Sequence, residues 1–206
     1  KVGVYVKFEI PYGKENIKIS IPDKNIVEFI CNENKPENQK SESEIIIDSL
    51  NNCILSQKLS EEAAGKENVC ILVSALPRPC PSYKFLPYII EELKKAKVKN
   101  IKIIFGLGIH RTHTYDEQIK LAGPLAAEQC QLIDFDKNRC RLIGTTSYGT
   151  PVEIFEEVAA SDFIIATGNI EYHYFAGYSG GAKAIMPGVC SDRSVCANHS
   201  MMLEDM

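Results

Sequence analysis

The chain opens on alternating apolar and polar positions. Val4, Val6, Phe8 and Ile10 fall on one side of an extended segment over residues 1–10, and Pro11-Tyr12-Gly13 supplies a turn. The alternation resumes at Ile17-Lys18-Ile19-Ser20-Ile21, so a small antiparallel strand pair is expected at the start. The polar stretch from Asn32 to Lys40, with Pro36 inside it, reads as a surface connection to a helix capped near Ser41 or Ser43. Ile45, Ile46, Ser49, Leu50, Cys53 and Leu59 then follow helical spacing. Beyond them apolar strands and amphipathic helices alternate. Strands are expected at Asn68–Leu76, Asn100–Gly108, Leu132–Phe135 and Phe163–Ala166, and helices at Tyr83–Lys95, Tyr115–Cys130 and Val152–Ala160.

Strands apolar on both faces and separated by helices predict an α/β fold: a Rossmann-like parallel sheet with helices on both faces, preceded by the strand pair. At 206 residues the chain suits one large domain with its own core. Ligands of such sheets gather beyond the carboxyl ends of the strands, which directs attention to the loops there.

Three of those loops carry unusual residues: Leu76-Pro77-Arg78-Pro79-Cys80-Pro81-Ser82, Gly108-Ile109-His110-Arg111-Thr112-His113, and Asn169-Ile170-Glu171-Tyr172-His173. Singly, Arg78 is best read as a surface ion-pair partner and His110 or His173 as a packing histidine. Their placement at successive strand ends tips the balance toward function. Histidine titrates near neutrality, so two in one crevice suit a base and an acid on opposite faces of a substrate.

Next comes Phe175-Ala176-Gly177-Tyr178-Ser179-Gly180-Gly181-Ala182-Lys183-Ala184, closed by Pro187-Gly188. Its glycines let backbone approach a ligand closely, and its amides suit a phosphate. A phosphate-binding P-loop needs Gly before the lysine and Ser or Thr after it, but alanines occupy both positions. The dinucleotide fingerprint is also imperfect, since Gly106-Leu107-Gly108 continues to Arg111 where a third glycine belongs. Lys183 is open to three readings: a solvated surface residue, a phosphate-binding cation, or a covalent attachment point through its amine. Cys196 with His199, and His110 with His113, have the spacing of one helical face and make zinc conceivable. Neither pair is a full ligand set. His199 as a single protein ligand to a metal held mainly by something else is the better reading.

Composition narrows the partners. The formal charge is -4 with Lys and Arg scattered among the acids, so no basic stripe tracks a nucleic-acid backbone. No apolar run approaches the roughly 20 residues that cross a bilayer, and no signal-peptide layout opens the chain. The 8 cysteines are spread widely, as befits reduced thiols in a cytoplasmic enzyme.

The stretch from Glu171 to Lys183 and on through Pro187-Gly188, then Ala197-Asn198-His199-Ser200, resembles the lactate racemase family, whose members carry a nickel-pincer nucleotide. The Arg78-Pro79 turn, the Gly108-Ile109-His110-Arg111 loop and Ile10-Pro11-Tyr12 agree in order and spacing, so the resemblance covers nearly the whole chain. It implies that Lys183 is joined covalently to the pyridinium nucleotide and that His199 completes the nickel coordination. It further implies His110 and His173 as the two acid/base residues, Arg78 as the partner of the substrate carboxylate, and Tyr178, Ser179, Gly180 and Gly181 beside the cofactor. The implied reaction is a hydride relay on a 2-hydroxy acid. One histidine takes the hydroxyl proton while the hydride passes to the pyridinium ring, and return to the other face of the 2-keto acid gives the opposite enantiomer.

Two positions depart from the family. Ala75 stands three before the arginine, where an acidic residue is common, and Ala182 stands before the lysine, where a basic one is frequent. The resemblance also implies cofactor-synthesis enzymes as partners and a smaller C-terminal domain, so residues 1–206 are expected to be the N-terminal, cofactor-binding part of a longer protein. The rival readings are an NAD-dependent hydroxyacid dehydrogenase and a non-catalytic nucleotide-binding domain of the same fold.

Overall fold

A computed structural model describes residues 4–29, 40–78 and 80–203. The chain divides into two compact units, residues 1–41 and 42–206. In the first, β1 (Tyr5–Tyr12) and β2 (Glu15–Pro22) form an antiparallel hairpin, as the alternation predicts. Val6 faces Ile21, Phe8 faces Ile19 and Ile10 faces Ile17, so the apolar positions pair across the strands. Gly13, at φ 63°, opens the turn in a conformation that side chains resist. Most of the polar connection expected between Asn32 and Lys40 lies outside the described residues, as does Pro79.

The second unit begins with α1 (Glu42–Asn51) and the short α2 (Leu59–Glu62). Ser41 directly precedes α1, and Ser43 falls inside its first turn. Then follow β3 (Asn68–Ser74), α3 (Ser82–Lys95), β4 (Asn100–Gly106), α4 (Tyr115–Ala122), α5 (Pro124–Gln129) and β5 (Gln131–Asp134). A second run holds β6 (Cys140–Thr145), β7 (Pro151–Phe155), α6 (Glu156–Ala159) and β8 (Phe163–Ala166). The chain continues through the two-residue strands β9 (Tyr172–His173) and β10 (Gly177–Tyr178) to α7 (Asp192–Ser200).

The main sheet has the order β5-β4-β3-β8, and every neighbouring pair in it is parallel. Val69, Ile71 and Leu72 of β3 and Ile103, Ile104 and Phe105 of β4 are wholly buried, which explains their unbroken apolar runs. The stripe of α3, Leu86, Ile89, Ile90 and Leu93, joins the same core.

Two expected helices differ from those observed. Residues 151–155, expected as the front of a helix over Val152–Ala160, instead form β7 and pair antiparallel with β6; only Glu156–Ala159 turns helically. Val152 and Ile154 are β-branched, and pairing with β6 buries Ile154 and Phe155, so tertiary packing overrides the helical spacing. The helix expected over Tyr115–Cys130 is broken at Gly123. There φ is 86°, and Pro124, which has no N–H to donate, starts α5 at its first position. A Cβ on Gly123 would sit 3.3 Å from Cβ of Tyr83, so the break also lets α3 approach closely.

No helix among the described residues is long and apolar enough to cross a membrane. The seven described cysteines are free thiols. Burial pushes Cys130 and Cys140 up to about 11 and Cys190 up to about 12, which keeps them protonated and unreactive.

Candidate active site

A cleft of about 480 Å³ lies at the carboxyl ends of β3, β4 and β8. Its walls come from Ser74 and Ala75, from the loop Gly106–His110, and from Thr167 to Asn169. Arg78 and His110 stand at its exposed lip, whereas His173, Lys183 and His199 sit half-buried. Ser179 and Gly180 also line it; Tyr178 and Gly181 do not. Tyr178 is turned onto the Tyr172 ring, 5.3 Å away.

The loop carrying His173 is tied by Ser179. The Ser179 hydroxyl donates to the Asn169 carbonyl at 2.9 Å and accepts the Glu171 N–H at 2.9 Å, while its own N–H donates to the Glu171 carbonyl at 2.8 Å. These bonds and the β9–β10 pair reverse the chain around Tyr174 to Ala176. His173 Nδ1 accepts the Ala176 N–H at 3.3 Å, leaving Nε2 as the ring atom for chemistry. At the centre sits Phe175, with ring centroids 4.6 Å from His173 and 5.2 Å from His199, and with Lys183 Nζ 5.7 Å from its own centroid. Sequence reasoning missed this hub, although the run Tyr172-His173-Tyr174-Phe175 was a visible signal.

Lys183 rides on a 3-10 turn over Gly181–Ala184. Gly180 precedes it at φ 82°, where a Cβ would lie 3.0 Å from the Asn169 carbonyl oxygen. Beyond the turn, Gly188 packs on β4: a Cβ on Gly106 would meet the Gly188 oxygen at 3.3 Å, and the Gly108 N–H donates to that oxygen at 3.3 Å. His199 comes from α7, whose N-cap Ser191 accepts the Ser194 N–H at 3.2 Å.

Burial, and after it the Arg78 charge, pushes the Lys183 amine below its ordinary value. His173 is lowered likewise, by desolvation first and then by Lys183, Arg78 and His199. Both groups thus hold their protons less tightly than exposed side chains of the same kind.

His110 and His113 do not share a helical face, because α4 starts only at Tyr115. The His113 side chain is 2% exposed and points away from chemistry. Its Nδ1 lies 2.8 Å from Asp134 Oδ1, and its Nε2 accepts the Leu76 N–H at 3.1 Å. Arg111 pairs with Glu117 through two bonds of 2.8 and 2.6 Å, holding that carboxyl down to about 2. Among the described residues no group of three or more His, Cys, Asp or Glu is placed to hold a metal.

Residues 12–206 match the family described as the lactate racemase N-terminal domain. The chain is 37% identical over 198 residues to the lactate racemase of Thermoanaerobacterium thermosaccharolyticum, and 34% over 200 residues to that of Lactiplantibacillus plantarum. Those alignments cover 93% and 95% of this chain but 46% and 47% of the relatives, so it spans just under half their length. The solved lactate racemase apoprotein from T. thermosaccharolyticum superposes with a TM-score of 0.81 at 36% identity, over 94% of this chain and 46% of that one. A Thermotoga maritima protein shares the fold at a TM-score of 0.59 and 19% identity, over 70% of this chain and 40% of its own. With the family model matched over nearly the whole sequence, the chain belongs to the lactate racemase N-terminal domain family.

Proposed function

We propose that this chain is the cofactor-holding part of a 2-hydroxyacid racemase or epimerase that works by reversible hydride transfer with a nickel-pincer nucleotide bonded to Lys183. The observation that carries the reading is the meeting in one cleft of a lysine with a depressed pKa, an arginine, and two histidines from separate strand ends. The cleft is within the size range of small-ligand sites. His199 is a lone imidazole with no companion ligand cluster among the described residues, which fits a metal that brings most of its own ligands. When bound, the group supplies the hydride acceptor and the metal.

The protein's own residues do the rest. Arg78 at the lip offers a planar fork to the substrate carboxylate. His173 takes or returns the hydroxyl proton at Nε2 on one face of the substrate, and His110 does so on the other. With Nδ1 accepting from Ala176, the neutral ring carries its proton on Nε2 and is set to donate. To take the hydroxyl proton there it must first hold its proton on Nδ1, and the 3.3 Å bond from Ala176 yields in that tautomer. Phe175 keeps water from the inner wall. A lysine held toward its free amine is ready to form the covalent link. Ala75, 1% exposed, lines the cleft where the family resemblance leads one to expect an acidic side chain, so cofactor or substrate contacts there differ from those of lactate racemase. The reading includes cytoplasmic location, cofactor-synthesis enzymes as partners and a C-terminal domain contributing further substrate contacts. The dinucleotide reading is not favoured, since Gly106–Arg111 does not open directly into a helix.

The test is maturation of the full-length protein with cofactor-building enzymes, followed by intact mass and a panel of enantiopure lactate, malate, aryl hydroxyacids and sugar acids. A nucleotide mass gain with interconversion of one pair is expected. An unmodified mass with no interconversion sinks the proposal, and net build-up of reduced NAD would favour a dehydrogenase.

A pH profile checks the electrostatics. Because His173 is lowered, its neutral form persists into more acidic solution than for an ordinary histidine. The acidic limb of kcat/KM is therefore expected to fall at a pH below about 6.5, the ordinary histidine value. Arg78→Gln removes one of the cations responsible, so its limb moves upward, with lower activity throughout. An unmoved limb would mean that the Arg78 charge does not set the titration.

A further inference from the structure

Three neighbouring strands of the sheet end in loops that one buried histidine joins. His113 lies seven residues beyond the end of β4 (Gly106), Leu76 two residues beyond the end of β3 (Ser74), and Asp134 is the last residue of β5. Asp134 spends both oxygens on His113: Oδ2 accepts its backbone N–H at 2.6 Å, and Oδ1 meets Nδ1 at 2.8 Å. Since Nε2 accepts the Leu76 N–H, the ring's proton belongs on Nδ1, where it is donated to the carboxylate. The ring edge rests on Phe105, with centroids 5.3 Å apart. A leucine could fill such a space without burying two polar side chains. What the imidazole adds is an acceptor for Leu76 and a donor for Asp134.

We propose that His113, held by Asp134, is a positioning residue that locks the loop bearing Arg78 to the loop bearing His110. Arg78 is two residues beyond Leu76, in a turn closed by the Arg78 N–H donating to the Ala75 carbonyl at 2.9 Å. His110 lies between β4 and a far end that is fixed twice, by His113 and by Thr114. The Thr114 hydroxyl caps α4 by accepting the Glu117 N–H at 3.3 Å. With Leu76 unanchored, the Arg78 turn loses this tether to the neighbouring loop, and the carboxylate fork shifts relative to His110. What Arg78 binds rests on the racemase reading above; the locking of the two loops does not.

The experiment uses the full-length, cofactor-loaded enzyme. His113→Asn keeps a donor for Asp134 but is too short to reach Leu76, whereas His113→Gln places an amide oxygen where Nε2 was. His113→Asn is expected to raise KM for the 2-hydroxy acid about 10- to 100-fold, with kcat lowered less. His113→Gln recovers part of that loss, and the effect of His113→Asn largely disappears in an Arg78→Lys background, because the two act through one contact. Amide exchange at Leu76 to Arg78 and through the His110 loop speeds up in His113→Asn. An unchanged KM, a loss confined to kcat, or additive effects with Arg78→Lys would overturn the proposal. If the wild type racemises nothing, amide exchange decides alone: unchanged protection overturns the locking role, and lost protection upholds it while the racemase reading falls.

Discussion

Lys183→Ala is expected to give a folded protein whose mass stays unmodified after maturation and whose racemisation falls on the order of 10⁴-fold or more. The amine is half-buried, its charged form is less favoured there than in solvent, and its Nζ lies 5.7 Å from the centre of the Phe175 ring. Removing it relieves a desolvated cation, so stability in urea should change by no more than about 0.5 kcal/mol. Lys183→Arg separates the roles left open by the sequence. A phosphate-binding cation would tolerate arginine, but a guanidinium cannot shed its proton to become a nucleophile. Intact mass of the arginine variant should therefore match that of the alanine variant. A nucleotide mass on either variant would move the attachment point elsewhere.

Gly188→Ala is the second large effect, and its cause is steric. A Cβ at that position would lie 2.3 Å from the Ala184 carbonyl oxygen, a backbone atom in the turn that carries Lys183. Neither partner can give way as a flexible side chain would. Gly188 is also pressed onto Gly106 at the end of β4 and accepts the Gly108 N–H just beyond it, so retreat in that direction is closed. Overpacking of this kind costs about 3 kcal/mol, read as a lower urea midpoint with unchanged slope. Because the displaced atoms belong to the Lys183 turn, cofactor loading should fall as well. Gly144→Ala is the matched control: its Cβ would meet nothing within 4 Å, and a change within about 0.5 kcal/mol is expected.

The parallel sheet was legible because its strands are buried on both faces, so Val69 to Val73 and Ile103 to Phe105 carry no polar interruption. The β6–β7 ribbon was not, since the apolar residues of β6, Cys140, Leu142 and Ile143, form no clean alternation and Gly144 ends the run, while Val152, Phe155 and Val158 in β7 and α6 happen to follow helical spacing. Gly123-Pro124 was an available break signal, outweighed by apolar periodicity that continued on both sides. The convergence of Arg78, His110 and His173 followed from the strand-end rule alone. The contact of both Lys183 and His199 with the Phe175 ring did not, because it depends on the chain reversal tied by Ser179. His113 shows the opposite failure: a spacing that suggested partnership with His110 belongs to an extended loop, where the two side chains have separate tasks.

The place of β8 beside β3 has a consequence for the order of assembly. Their junction is made by contacts of long sequence separation, Asp162 with Asn68 across 94 residues and Thr167 with Leu72 across 95. One wall of the cleft, with Arg78 and His110, is built from β3, β4 and β5 and their connections, whereas the other depends on a loop closure across about 90 residues that is entropically expensive. Lys183 lies beyond that closure. Until that closure is made Lys183 lacks its facing wall, so under the proposed reading covalent loading is expected only on the folded chain, and a urea-unfolded sample should gain no nucleotide mass.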